Sequence, residues 1–191
     1  MEGNKDEICL QEYEELNKYP RIIDWVDRWA KDKSDQLAII EYDTGEKVTW
    51  KEFKKMTMVF AAKLLDMGVK KGDVVATTLV LLKEHVYIMY ACYRIGAIVA
   101  PLDPRLKVDE VDHCFKNMNP KVYISLGKTP VTDFRPIISA MIEKYSIENG
   151  GPCEYFIQFD KEDSNIVDGA IGLNDFVKTL KPIFIKSLLT L

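Results

Sequence analysis

The chain has 191 residues, 47% of them hydrophobic and 29% charged, with a formal net charge of −4. That length holds one domain with a real core plus an extension, and the composition is ordinary for a soluble globular protein. A mildly acidic chain without a basic run excludes nucleic acid and anionic membrane surfaces as partners.

No apolar run approaches the ~20 residues of a membrane helix, and the polar start Met1-Glu2-Gly3-Asn4 lacks the basic-then-apolar order of a secretory signal. A cytoplasmic location is therefore expected. Cys9, Cys92, Cys114 and Cys153 are far apart and form no C-x-x-C pair. That spacing predicts reduced thiols, with Cys92 buried.

Residues 1–20 read as a polar lead-in. Residues 24–30 predict a short amphipathic helix, with Trp25 and Trp29 four apart on one face. Two β-rich runs, 37–42 and 47–49, flank Asp43-Thr44-Gly45-Glu46 and predict a hairpin. Thr49-Trp50-Lys51-Glu52 fits a capping box. It opens a helix to residue 67 whose apolar stripe is Phe53, Met56, Phe60 and Leu64, and Gly68 is a natural stop.

From residue 74 the pattern changes. Residues 74–81 are nearly continuous apolar and β-branched, the reading of a parallel strand buried on both faces. There follow a helix over 83–95 ending at Gly96, a strand over 97–101, and a helix over 108–118 stopped by Asn119-Pro120. Next come a strand over 122–126, a helix over 136–145 with proline near its start, a strand over 155–159 and a last helix over 173–180. Strand–helix alternation implies a parallel sheet with right-handed crossovers. The expected fold class is α/β: a partial parallel sheet with flanking helices over 72–191, incomplete, after a helix–hairpin–helix unit over 1–71. The apolar stretch 182–191 is unusual for a terminus and predicts a truncated chain, a partner, or a tail tucked onto the sheet.

Gly127-Lys128-Thr129 follows a strand, but a phosphate loop needs a glycine five residues earlier, where Val122 stands, and Pro130 spoils the helix entry. A simple glycine turn is expected. Neither G-x-G-x-x-G nor G-x-S-x-G occurs. Asp109 and His113 share a helix face, but a metal site needs three or four ligands, so a solvated face is expected and no metal. Open α/β sheets bind ligands beyond the carboxyl ends of their strands. That rule places Lys83, His85, Asp103, Arg105 and Lys128 at the candidate ligand edge, although an exposed loop residue is the commoner explanation of any single one.

Two blocks carry a family resemblance. Val48-Thr49-Trp50-Lys51-Glu52-Phe53, with Leu64-Leu65-Asp66-Met67-Gly68-Val69-Lys70-Lys71-Gly72-Asp73-Val74-Val75, resembles the T-Y-x-E-L … L-x-x-x-G-V-x-x-G-D-x-V opening of the AMP-forming acyl-CoA synthetases. Tyr90-Ala91-Cys92-Tyr93-Arg94-Ile95-Gly96-Ala97 through Leu106 is similar to their next block. The resemblance implies an adenylate-forming enzyme that joins a carboxylic acid to CoA through an acyl-adenylate, with ATP, Mg²⁺ and CoA used by the full-length family. The family's T-S-G-T-T-G-x-P-K-G loop, its aromatic-Gly-x-Thr-Glu motif and its C-terminal domain with a catalytic lysine have no counterpart here. No catalytic residue carries over, and no cofactor is expected in this chain. Where the family often has Pro-Asn-x-x-Glu, the chain has Val80-Leu81-Leu82-Lys83-Glu84, which implies a medium or aromatic acyl pocket rather than one for acetate. The expected function is an N-terminal fragment of an acyl-CoA synthetase of fatty-acid metabolism, not catalytic alone. The alternatives are a stand-alone ligand- or subunit-binding module and an enzyme split over two chains. The expected partners are an acyl substrate in the full-length enzyme and a second copy met through an exposed apolar edge.

Overall fold

The computed structural model describes residues 21–160 and 162–178. The polar lead-in, Cys9 and the apolar stretch 182–191 lie outside the described residues. The chain divides into two compact units between Lys55 and Met56.

In the first unit, α1 (Ile22–Asp32) opens on Arg21, whose guanidinium Nη2 lies 2.6 Å from Asp24 Oδ1 while its amide donates to Asp24 Oδ2. Ile23 and Val26 are buried. Trp25, Trp29, Trp50 and Phe53 form a ladder with successive ring centroids 5.8, 4.6 and 6.0 Å apart. The two tryptophans spaced four apart thus serve packing. β1 (Leu37–Ile40) pairs antiparallel with β2 (Lys47–Thr49), and Gly45 supplies the φ of +70° that their turn requires.

The division between units falls inside α2 (Trp50–Asp66). The capping box forms as expected: the Thr49 hydroxyl accepts from the Glu52 amide at 3.3 Å, and the Glu52 carboxylate accepts from the Thr49 amide at 2.9 Å.

The second unit runs β3 (Val74–Thr78), α3 (Lys83–Ile95), β4 (Ile98–Pro101), α4 (Val108–Met118), β5 (Val122–Leu126), α5 (Arg135–Tyr145), β6 (Tyr155–Phe159), β7 (Ala170–Gly172) and α6 (Leu173–Lys178). Its five strands are all parallel, in the order β4-β3-β5-β6-β7. The α/β class and the parallel sheet match expectation.

Two elements differ. The apolar run 74–81 leaves the sheet at Thr78, whose last partner is Ser125 of β5; Leu79 is buried while Val80 and Leu81 are exposed. β7 was not expected: Ala170-Ile171-Gly172 is too short to show a period, and pairing with β6 makes it a strand.

Alternation along the strands gives the sheet two buried faces. Ala76, Tyr123 and Phe156 stand in one register row and pack against Val111 and Phe115 of α4 and Ile138 and Met141 of α5. Phe115 meets Tyr123 edge-on, centroids 4.9 Å apart. On the opposite face Thr77, Ile124 and Ile157 form the matching row, all fully buried. Beyond the sheet, Phe60 of α2 reaches Tyr87 of α3 and Phe176 of α6 at 6.0 and 5.9 Å. Cys92 and Cys153 are buried, and burial pushes both thiols up to about 12; Cys114 on α4 is half-buried.

The α4–α5 face makes a direct prediction. Phe115→Ala should lower the stability of the chain by about 3–5 kcal/mol in urea unfolding, since a fully buried ring leaves a cavity. A loss below about 1 kcal/mol would show that this face is not the core of the unit.

Candidate functional site

The strand order fixes where a ligand edge lies. From β3 the chain moves to β4 on one side, then crosses to β5 on the other, so the connections diverge between β3 and β5. Beyond the carboxyl ends of strands at such a switch point, an open α/β sheet has a crevice. A cleft of about 430 Å³ opens there. Val80 and Leu82 line it from the segment after β3, Leu126 from the end of β5 with Lys128 and Pro130 from the loop that follows, and Phe159 from the end of β6 with Asp160 and Asn165 beyond it.

Asp160 ties these loops together. Its Oδ2 accepts from the Lys128 amide at 2.6 Å, and its Oδ1 accepts from the Glu162 amide and from Asn165 Nδ2, both at 3.1 Å. Gln158 Nε2 stands 3.5 Å from Oδ2 and donates to the Asn165 carbonyl at 2.8 Å, while Gln158 Oε1 accepts from the Val167 amide. Burial pushes the Asp160 carboxyl up, but the Lys128 amide, Asn165, the Glu162 amide and Gln158 more than offset this and hold it below its ordinary value. Gly127 lies outside the left-handed region, yet it must be glycine: a Cβ there would collide with Asp160 Oδ2 and Gln158 Nε2. The Gly127-Lys128-Thr129 turn is thus shaped by a carboxylate packed against it rather than by glycine's freedom of rotation.

His85 sits at the start of α3, 6% exposed. Its Nδ1 lies 3.2 Å from the Val80 carbonyl, which only accepts, so Nδ1 carries the proton and Nε2 accepts from Thr77 Oγ1 at 3.0 Å. Burial pushes the imidazole pKa down and so favours the neutral ring, partly opposed by the Val80 bond, which raises it. His85 therefore clamps the loop whose Val80 and Leu82 line the cleft. Lys83 Nζ lies 3.8 Å from Glu84 Oε1. Asp103 and Arg105 pair with each other after β4, and the guanidinium holds the Asp103 carboxyl down at about 2. Arg105 lines a separate groove with Leu106 and Phe134.

The structure thus brings Lys128 to the cleft, sets His85 behind one of its walls and puts Arg105 elsewhere. Sequence reasoning missed Asp160, Gln158 and Asn165. The signal for the first was present: an acid directly after the apolar run Tyr155-Phe156-Ile157-Gln158-Phe159 obeys the same carboxyl-edge rule. His113 is exposed and lies 3.2 Å from Asn117 Nδ2. Among the described residues no group of three His, Cys, Asp or Glu is placed to hold a metal ion, and no helix is long and apolar enough to cross a membrane.

A parallel sheet with helices on both faces and a cleft at its switch point defines a doubly wound α/β protein. Residues 26–166 match the family model of the AMP-binding enzymes, and the chain belongs to that family. It is 42% identical over 77 residues to an acetyl-coenzyme A synthetase from Marinobacter nauticus, a match covering 38% of this chain and 12% of the relative. A 2-succinylbenzoate–CoA ligase from Oceanobacillus iheyensis is 27% identical over 110 residues, covering 58% of this chain and 23% of the relative. Among solved structures, an anthranilate CoA ligase in complex with anthranoyl-AMP superposes with a TM-score of 0.68 at 18% identity, over 82% of this chain and 27% of that one. This chain therefore spans between about an eighth and a quarter of the length of those curated relatives, and what it holds is an N-terminal part of the adenylate-forming fold.

Asp160 makes a pH-dependent prediction. Asp160→Asn should cost about 1–3 kcal/mol near neutral pH in chemical denaturation, because charge-assisted bonds from three segments weaken. The folded pKa lies below the unfolded one, so the contribution is complete above the ordinary carboxylate value of about 4 and is lost as pH falls through the folded value. The gap between wild type and variant should be constant from pH 5 to 8 and close below pH 4; a gap that widens on acidification would contradict the assignment.

Proposed function

We propose that this chain is the front portion of an acid–thiol ligase that builds one wall of the site but does not adenylate an acid by itself. The observation that carries this reading is the Asp160 carboxylate seated 2.6 Å from the Lys128 amide. Activating an acid with ATP requires amide donors and cations arrayed around three phosphates. At this edge the turn that could offer such a donor already holds a carboxylate, and a phosphate brought against it would meet a like charge. These residues do not fit a nucleotide triphosphate, and no step of an adenylation is assigned to them.

The acyl-CoA ligase reaction, with its ATP, Mg²⁺ and CoA, accordingly belongs to longer members of the family. Leu82, Leu126 and Phe159 on the cleft wall support a medium or aromatic acyl group over acetate. The buried free thiols Cys92 and Cys153 support a reducing, cytoplasmic setting. A role in fatty-acid metabolism follows from the same reading. Titrating the chain with Mg²⁺–ATP in a calorimeter should give no heat above dilution, and coupled pyrophosphate release with a panel of fatty and aromatic acids should stay at background. Micromolar nucleotide binding or turnover would overturn the proposal.

A second reading, a docking module, is favoured by the rim of the cleft. Leu81, next in the chain to the cleft-lining Val80, is 85% exposed, and Val131, next to the cleft-lining Pro130, is 92% exposed. Solvated apolar side chains gathered at one edge are the mark of an interaction surface. On this reading, sedimentation should show self-association rising with concentration, reduced in Leu81→Lys/Val131→Lys. A chain that stays monomeric at every concentration tested would count against it.

A further inference from the structure

The turn that resembles half of a phosphate loop has an occupant. Four N–H donors from three chain segments converge on the Asp160 carboxylate: the amides of Lys128 and Glu162 and the side-chain amides of Asn165 and Gln158. They are divided evenly, the Glu162 amide and Asn165 on Oδ1, the Lys128 amide and Gln158 on Oδ2. A set of donors split between two oxygens suits a planar carboxylate, not a tetrahedral anion such as phosphate with four oxygens to satisfy. Gly127 leaves room for one such group and no more, since even a Cβ would strike Oδ2. Asp160 itself is 8% exposed, at the margin of an open cleft of about 430 Å³.

We propose that the turn after β5 is a binding site for a small carboxylate, and that the chain keeps it closed with its own Asp160. A part-buried set of oriented N–H donors is an anion site whichever carboxylate fills it. Tethering the carboxylate to the adjacent strand makes occupancy intramolecular, so its effective concentration far exceeds that of a free acid. In the wild-type chain the site is thereby shut to external anions, phosphate included.

Cutting the tether tests this. Asp160→Gly removes the carboxylate and leaves its space. Thermal unfolding of this variant is measured in sodium formate, sodium acetate, sodium phosphate and sodium chloride at equal ionic strength. Formate should raise Tm by about 3–6 °C over chloride at a tenfold excess over its dissociation constant, and the rise should saturate. Wild type should show no such difference, nor should Asp160→Asn, whose side chain still fills the space. Should Asp160→Gly fail to fold in chloride, recovery of the native circular dichroism in formate supports the site. Three results overturn it: a folded glycine variant indifferent to formate and acetate, an equal response in wild type, or a larger response to phosphate than to formate. A glycine variant that stays unfolded in formate also overturns it. The measurement uses neither nucleotide nor turnover, so its failure leaves the ligase reading intact.

Discussion

A parallel sheet has no solvent-facing side, and that constraint organises the larger unit. Each strand must be apolar in both directions, and each connection must cross over a face, as a helix everywhere but between β6 and β7. Tyr123, held between Phe115 and Phe156 on one face while Ile124 points to the other, shows both demands met by adjacent residues. Strand order then follows from which side each helix takes, and strand order alone decides where loops part to leave a cleft. The position of the site is thus a product of packing, settled before any of its polar residues is considered.

The polar groups at the carboxyl end of the sheet answer a second demand. Burying a hydroxyl, an imidazole or an amide costs free energy unless it is bonded. Thr77 is matched by His85, Thr78 by the Tyr123 hydroxyl at 2.8 Å, and Gln158 by the backbone of residues 165 and 167. Each bond joins a strand end to something beyond it, except Thr78 with Tyr123, which joins two strands. The loops bordering the cleft are held by specific acceptors and donors rather than by apolar contact alone. That is how two walls of a site keep their spacing on surface loops, which are otherwise the most mobile parts of a fold.

Much of the architecture could be read from the chain because burial on both faces writes itself as an unbroken apolar run. Val122-Tyr123-Ile124-Ser125-Leu126 and Tyr155-Phe156-Ile157-Gln158-Phe159 coincide with β5 and β6. The same rule overran at Leu79-Val80-Leu81, where apolar residues serve a loop, and no local pattern distinguishes the two uses. β7 is invisible for the opposite reason: its strand character lies in the partner, not in Ala170-Ile171-Gly172. The site divides likewise. Lys128 was legible from its place after a strand. That Asp160 would reach the Lys128 amide, 32 residues away, depends on β5 and β6 being neighbours, which no spacing in the sequence states.

The distribution of thiols has a practical consequence. Cys92 and Cys153 are buried, and burial holds both thiols up to about 12, so neither presents a thiolate at neutral pH. Among the described residues, Cys114 is the sulfur left within reach of an alkylating reagent. With Cys9 replaced, a fluorophore or spin label placed there would ride on α4, beside Phe115, and report on the packing of that helix.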